Sequence, residues 1–155
     1  MIFLKSALCV LLAGGFTQAD TPFKKEMVPL QSAVDVAITT TGTRIMNSPK
    51  ATYLDDYSVI VVVEVALEPP PNPFDGFKVT DATRKMINTR YKDLTTKLAD
   101  LVKEQVAKTD SVGATESLSV VVHILKTNSV AVPNLPSQVV ISMKKSGSEP
   151  SIRVL

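Results

Sequence analysis

Apolar positions recur along this chain with two different periods, and each period predicts its own kind of element. Between residues 81 and 109, Ile87, Tyr91, Leu94, Leu98, Leu101, Val102 and Val106 return every three or four residues, the stripe of an amphipathic helix. Thr80 can cap its start, Asp81 suits the positive end of its dipole, and Asp110-Ser-Val-Gly113 ends it. At 1.5 Å per residue this helix is about 43 Å long, enough to lie along a whole β-strand. Residues 57–67 (YSVIVVVEVAL) instead alternate with period two. Tyr57, Val59, Val61, Val63, Val65 and Leu67 point one way, and Ile60, Val62 and Ala66 point the other, with Ser58 and Glu64. Because both faces are mainly apolar, the run predicts an interior strand.

The same reading gives strands at 117–126 (SLSVVVHILK) and 137–145 (SQVVISMKK), joined by a loop with Asn128, Pro133, Asn134 and Pro136. Residues 51–54 form a short strand turning through Asp55-Asp56 into the valine strand. Residues 68–78 carry four prolines, which lack the N–H donor a ladder needs, so they predict a stiff extended crossing of roughly 34 Å. The direction of the strand after it stays open. From Leu30 to Ile45, apolar or small residues at Leu30, Ala33, Val34, Ala37, Ile38, Thr41 and Ile45 predict a shorter N-terminal helix, although Thr39-Thr40-Thr41 and Gly42 weaken it. The order helix, hairpin, long helix, hairpin gives an α+β fold: a two-layer sandwich with a four-stranded, mainly antiparallel sheet. One domain over 30–145 follows, with residues 20–29 as an N-terminal extension and 146–155 as a flexible C-terminal tail.

Composition then places the chain. Of 155 residues, 45% are apolar, 17 are Lys or Arg, 15 are Asp or Glu, and His and Cys occur once each. Residues 1–19 read as a signal peptide: Lys5 precedes the apolar run ALCVLLAGGF, and Thr17-Gln-Ala19 offers a cleavage site. The run is about half the roughly 20 residues that span a bilayer, so no stable membrane insertion is expected after cleavage. Cys9 lies inside the run rather than after it, which argues against a lipid anchor. Cleavage would remove Lys5 and Cys9, leaving 16 basic against 15 acidic side chains and a thiol-free product suited to the periplasm or the medium. So small an excess of charge gives no general argument for nucleic acid.

No residue pattern carries catalysis. His123 is the one histidine, has no partner at motif spacing, and shares a strand face with Ser119, Val121 and Leu125. Asp55, Asp56, Glu64 and Glu68 lack the spacing of a calcium loop, and adjacent turn aspartates are ordinary turn formers. No phosphate-binding glycine loop or nucleophile elbow occurs. We therefore expect no catalytic residue, cofactor or metal. The helix cations fall on two borders of the apolar stripe, with Lys85, Lys92 and Lys103 on one side and Arg90, Lys97 and Lys108 on the other. Asp93, Asp100 and Glu104 occupy the back, as on a solvated helix rather than a polyanion-binding stripe. The prolines at 69–73 and the apolar terminus Ile152-Arg-Val-Leu155 could each dock in a groove or at a sheet edge, a weaker signal than their use as connector and tail.

The feature with functional content is apolar surface on both sides of the sheet. One long helix can bury one side. If the N-terminal helix lies on that same side, Ile60, Val62, Val121, His123 and Leu125, with Val140 a further candidate, form a partner-binding face, for a homo-oligomer or an envelope protein. The competing readings are a small-ligand or hydrolytic site near His123, and binding of an anionic envelope polymer by the helix lysines.

The run Ala51-Thr-Tyr-Leu-Asp-Asp-Tyr57 leading into the valine strand, Pro71-Asn-Pro-Phe74, Val121-Val-His-Ile-Leu125 and Leu135-Pro-Ser-Gln-Val-Val-Ile-Ser-Met-Lys-Lys145 resemble an exported bacterial α+β family with no assigned activity. The resemblance covers most of the predicted domain, implies an export signal and an α+β architecture, and carries over no catalytic residue. Where that family would have Asp-Gly and Tyr-Gly, this chain has Asp55-Asp56 and Tyr57-Ser58, which implies a less tight hairpin.

Overall fold

A computed structural model describes residues 23–54, 58–70, 80–126, 132 and 134–155. The predicted signal peptide, the expected turn at Asp55-Asp56, residues 71–79 of the proline segment and most of residues 127–133 lie outside these. The chain is α+β, with two helices and one five-stranded mixed sheet: α1 (Phe23–Thr39), β1 (Arg44–Leu54), β2 (Ser58–Ala66), α2 (Asp81–Lys108), β3 (Ser117–Ile124), β4 (Gln138–Lys144) and β5 (Ser151–Val154).

The long helix matches its periodicity. Thr80 Oγ1 accepts the Thr83 N–H at 3.1 Å, and Ile87, Leu94, Leu98, Val102 and Val106 form its buried stripe. The first helix departs from expectation at both ends. Its buried residues Phe23, Leu30, Val34 and Ile38 carry the stripe back past Pro29, which lies inside the helix with its ring exposed. At the other end the threonines terminate the helix rather than merely weaken it. The hydroxyls of Thr39, Thr40 and Thr41 donate back to the carbonyls of Asp35, Ala37 and Ile38 at 2.7 to 2.9 Å. Gly42, at φ 71°, then turns the chain into β1. Residues 44–50, expected to be helix end and linker, are the first half of an 11-residue strand.

The strands lie in the order β1-β2-β3-β4-β5. Three neighbouring pairs are antiparallel and β2–β3 is parallel, because α2 carries the chain from the end of one strand to the start of the other. The expectation of four mainly antiparallel strands is corrected accordingly. The fifth strand comes from the segment expected to be a flexible tail, where Ser151–Val154 pairs with β4.

One side of this sheet is the core. Val59, Val61, Val63 and Val65 of β2, Leu118, Val120, Val122 and Ile124 of β3, and Val139, Ile141 and Met143 of β4 are all buried. They belong to a single cluster with the stripes of both helices. The first helix packs on β1 and on α2, and α2 packs on β3 and β4, so both helices cover the same side. Polar clamps close one end of this layer. The Glu26 carboxylate accepts the backbone N–H groups of Asp110 (2.7 Å) and Ser111 (3.2 Å). The buried Glu116 carboxylate accepts the Gly113 N–H (2.7 Å) and the Tyr53 hydroxyl (3.1 Å). Lys145 Nζ donates to the Thr109 carbonyl at 2.8 Å.

Candidate interaction face

The opposite side of the sheet carries the even residues of β2 and β4, the odd residues of β3 and β5, and from β1 Lys50, Thr52 and Leu54 with, across the bulge, Asn47, and strand register sorts them into rows. The central row runs Lys50–Val62–Val121–Val140–Arg153, one residue from each strand. Beside it lies Thr52–Ile60–Ser119–Ser142–Ser151, and beyond that Leu54–Ser58–Ser117–Lys144. On the other flank, Asn47, Glu64, His123 and Gln138 are successive partners, and the Gln138 backbone exchanges both of its hydrogen bonds with Leu155.

Alternation makes this pattern inevitable. A strand whose odd valines are in the core must present its even residues here. No helix of the described chain covers them: Val62 is 38% exposed, whereas its neighbours Val61 and Val63 are essentially inaccessible. Ile60, Val121, His123 and Val140 are half-buried by their own strand neighbours. The face closes towards the end of β2, where Ala66, Leu67 and Glu68 are buried. Leu125 lies just past β3, donates its backbone N–H to the Val65 carbonyl at 2.8 Å, and keeps its side chain exposed. Ile60, Val62, Val121 and His123 are thus brought together, with Leu125 at the rim. Lys50, Thr52, Val140, Ser142 and Arg153 belong to the same surface. Lys50 and Arg153 are absent from the sequence reading because β1 was expected to be shorter and β5 to be loop.

His123 is flanked by Glu64 in the neighbouring strand, but the Glu64 carboxylate receives the Asn47 side-chain amide instead. Among the described residues the imidazole makes no hydrogen bond or ion pair, and no group of three His, Cys, Asp or Glu side chains is placed to hold a metal. One hollow lies on this face, lined by Asn47, Ser48, Lys50, Val62 and Glu64, and two others lie away from it. One runs between the outer sides of the helices, from Pro29 and Val36 to Leu101 and Glu104. Another joins Arg84, Asn88 and Tyr91 to Leu135 and Pro136, and there burial raises the Tyr91 hydroxyl above its ordinary value of 10.0.

The helix cations are partly engaged. Lys103 pairs with Glu149 at 2.6 Å, Lys108 pairs with Glu104, and Arg90 donates to the Leu67 carbonyl at 2.8 Å. Arg90 is therefore a half-buried tie between α2 and the end of β2 rather than a solvated border residue. No helix among the described residues is long and apolar enough to cross a membrane.

Compared with protein-family models, with curated proteins and with solved structures, the chain matches none. The family resemblance read from its strand motifs gains no relative from these comparisons, and the functional reading rests on the surface itself.

Proposed function

We propose that this is an exported, non-enzymatic protein of the periplasm or the medium, a two-layer sandwich that works by protein–protein contact through its uncovered sheet face. One observation carries the reading. Both helices pack on one side of the sheet, and the other side retains Ile60, Val62, Val121 and Val140 as a connected apolar centre with a polar surround. Such a patch has the make-up of an interface core with its rim. The outer edges differ in how they are protected. In β1, bulges around Asn47 and the buried Pro49 discourage a further strand, whereas β5 ends the sheet with four exposed residues.

The test is site-specific photo-crosslinking in the native envelope, with the reactive group at Val121 on the sheet face and at Thr96 on the outer surface of α2. The expected result is adducts concentrated at Val121. Equal labelling at the two positions would overturn the reading. Export is checked separately: residues 1–19 should carry a reporter enzyme out of the cytoplasm, and a reporter retained inside would remove that half of the proposal.

A further inference from the structure

The uncovered face has a charge pattern that says what fits it, given that it is the interface proposed above. Its central row begins and ends in a cation: Lys50 on edge strand β1 and Arg153 on edge strand β5, with three valines between them. Lys144, exposed on β4, adds a third cation. The carboxylate on the face, Glu64, is engaged by Asn47. With adjacent strands about 4.8 Å apart, the row measures roughly 19 Å between its charged ends, and the valines occupy the middle 10 Å or so. Around the valines, Ser58, Ser117, Ser119, Ser142, Ser151 and Thr52 are short, Leu54, His123 and Gln138 stand at the periphery, and a hollow opens beside Lys50, Val62 and Glu64.

A second copy of the chain fits this face poorly. A two-fold dimer sets a patch against itself, and a patch with three cations and one carboxylate then brings an excess of positive charge from both sides. A lipid surface fits less well, because the central rows are serine and valine and the exposed leucines Leu54 and Leu125 stand apart at opposite ends of the face.

A helix of about 10 to 12 Å diameter, laid along the strands, fits across the three central strands and brings its two flanks near Lys50 and Arg153. The eight residues of β3 give a track of roughly 26 Å, or about 17 helical residues. We infer that the sheet face docks an amphipathic helix of another protein, one whose apolar stripe is bordered on both sides by aspartate or glutamate. Its border charges are the inverse of those on α2, whose own stripe is bordered by lysine and arginine on the covered side of the same sheet.

The test uses the full chain and three probes: a synthetic helical peptide with a leucine-alanine stripe bordered by glutamates, its twin bordered by lysines, and phosphatidylglycerol vesicles. The glutamate peptide should bind roughly tenfold or more tightly than its twin, with affinity falling as salt is raised. Lys50→Glu with Arg153→Glu should reverse the preference, weakening the glutamate peptide and strengthening the lysine peptide. Both positions are exposed on edge strands, so folding is expected to persist, and circular dichroism checks it. Equal binding of the two peptides, binding of neither, preference for the vesicles, or a wild-type dimer broken by Val121→Arg would each overturn the inference. If Val121→Arg abolishes glutamate-peptide binding while the charge exchange does nothing, only the acidic-helix inference falls. If Val121→Arg leaves peptide binding unchanged and the reactive group at Val121 gives no more adducts than the one at Thr96, the interaction face falls with it.

Discussion

Val61 and Val62 are the same residue, adjacent in the same strand, yet one is sealed under two helices and the other meets solvent. The two sides of the sheet differ in the same way throughout. The covered side is branched aliphatics backed by the stripes of α1 and α2. The uncovered side mixes a small aliphatic centre with serines, a carboxylate, a histidine and cations. Alternation alone gives both sides, and what separates them is which one the helices choose. Substitutions on the covered side should therefore cost folding stability, and substitutions on the uncovered side should cost contact with a partner.

The largest expected effect is Leu98→Ala, at the centre of the α2 stripe and fully inaccessible. Loss of its packing and the cavity left behind should destabilise the chain by about 3 kcal/mol in urea titration. Thr96→Ala, on the outer surface of the same helix, should stay within about 0.5 kcal/mol. Glu116→Ala comes next. It removes the carboxylate that accepts the Gly113 N–H and the Tyr53 hydroxyl at the clamped end of the covered layer, for a loss of about 2 kcal/mol. Thr80→Ala removes the cap that starts α2 and should cost about 1 kcal/mol by the same measurement.

The smallest effect is one of pH. Burial raises the Tyr91 hydroxyl above 10.0, so the folded chain favours the neutral phenol. Its contribution is intact below a pH of about 10, the unfolded value, and is lost as pH rises through the raised folded value. Alkaline denaturation should accordingly lose one shallow component in Tyr91→Phe, and an unchanged profile would remove Tyr91 from the account.

How much of this was legible beforehand varies with position in the fold. The α2 stripe and the β2 alternation are strong because every core contact of those elements repeats at a single period, and their observed limits fall within a residue or so of those predicted. The edges were misread for physical reasons. Pro29 argues against a helix, yet Phe23, Met27 and Leu30 continue the α1 stripe across it. The residues of β1 between Arg44 and Lys50 do not alternate cleanly, because bulges break their register. Four exposed residues of β5 carry no burial pattern at all. The parallel β2–β3 pair was hidden for a different reason: the proline segment before α2 leaves the chain direction open, and only the packing of α2 decides it. Ile60, Val62, Val121, His123 and Leu125 were identifiable from alternation, whereas Lys50 and Arg153 depend on the two edge strands being recognised.

The central claim is that one side of the sheet is sealed within the chain and the other is not, and the two adjacent valines test it most directly. Equilibrium unfolding of Val61→Ala and Val62→Ala should separate them, with a loss of about 2 kcal/mol for Val61 and about 0.5 kcal/mol or less for Val62. Equal, large losses at both positions would mean that Val62 is also packed inside the folded chain, and would contradict an open face.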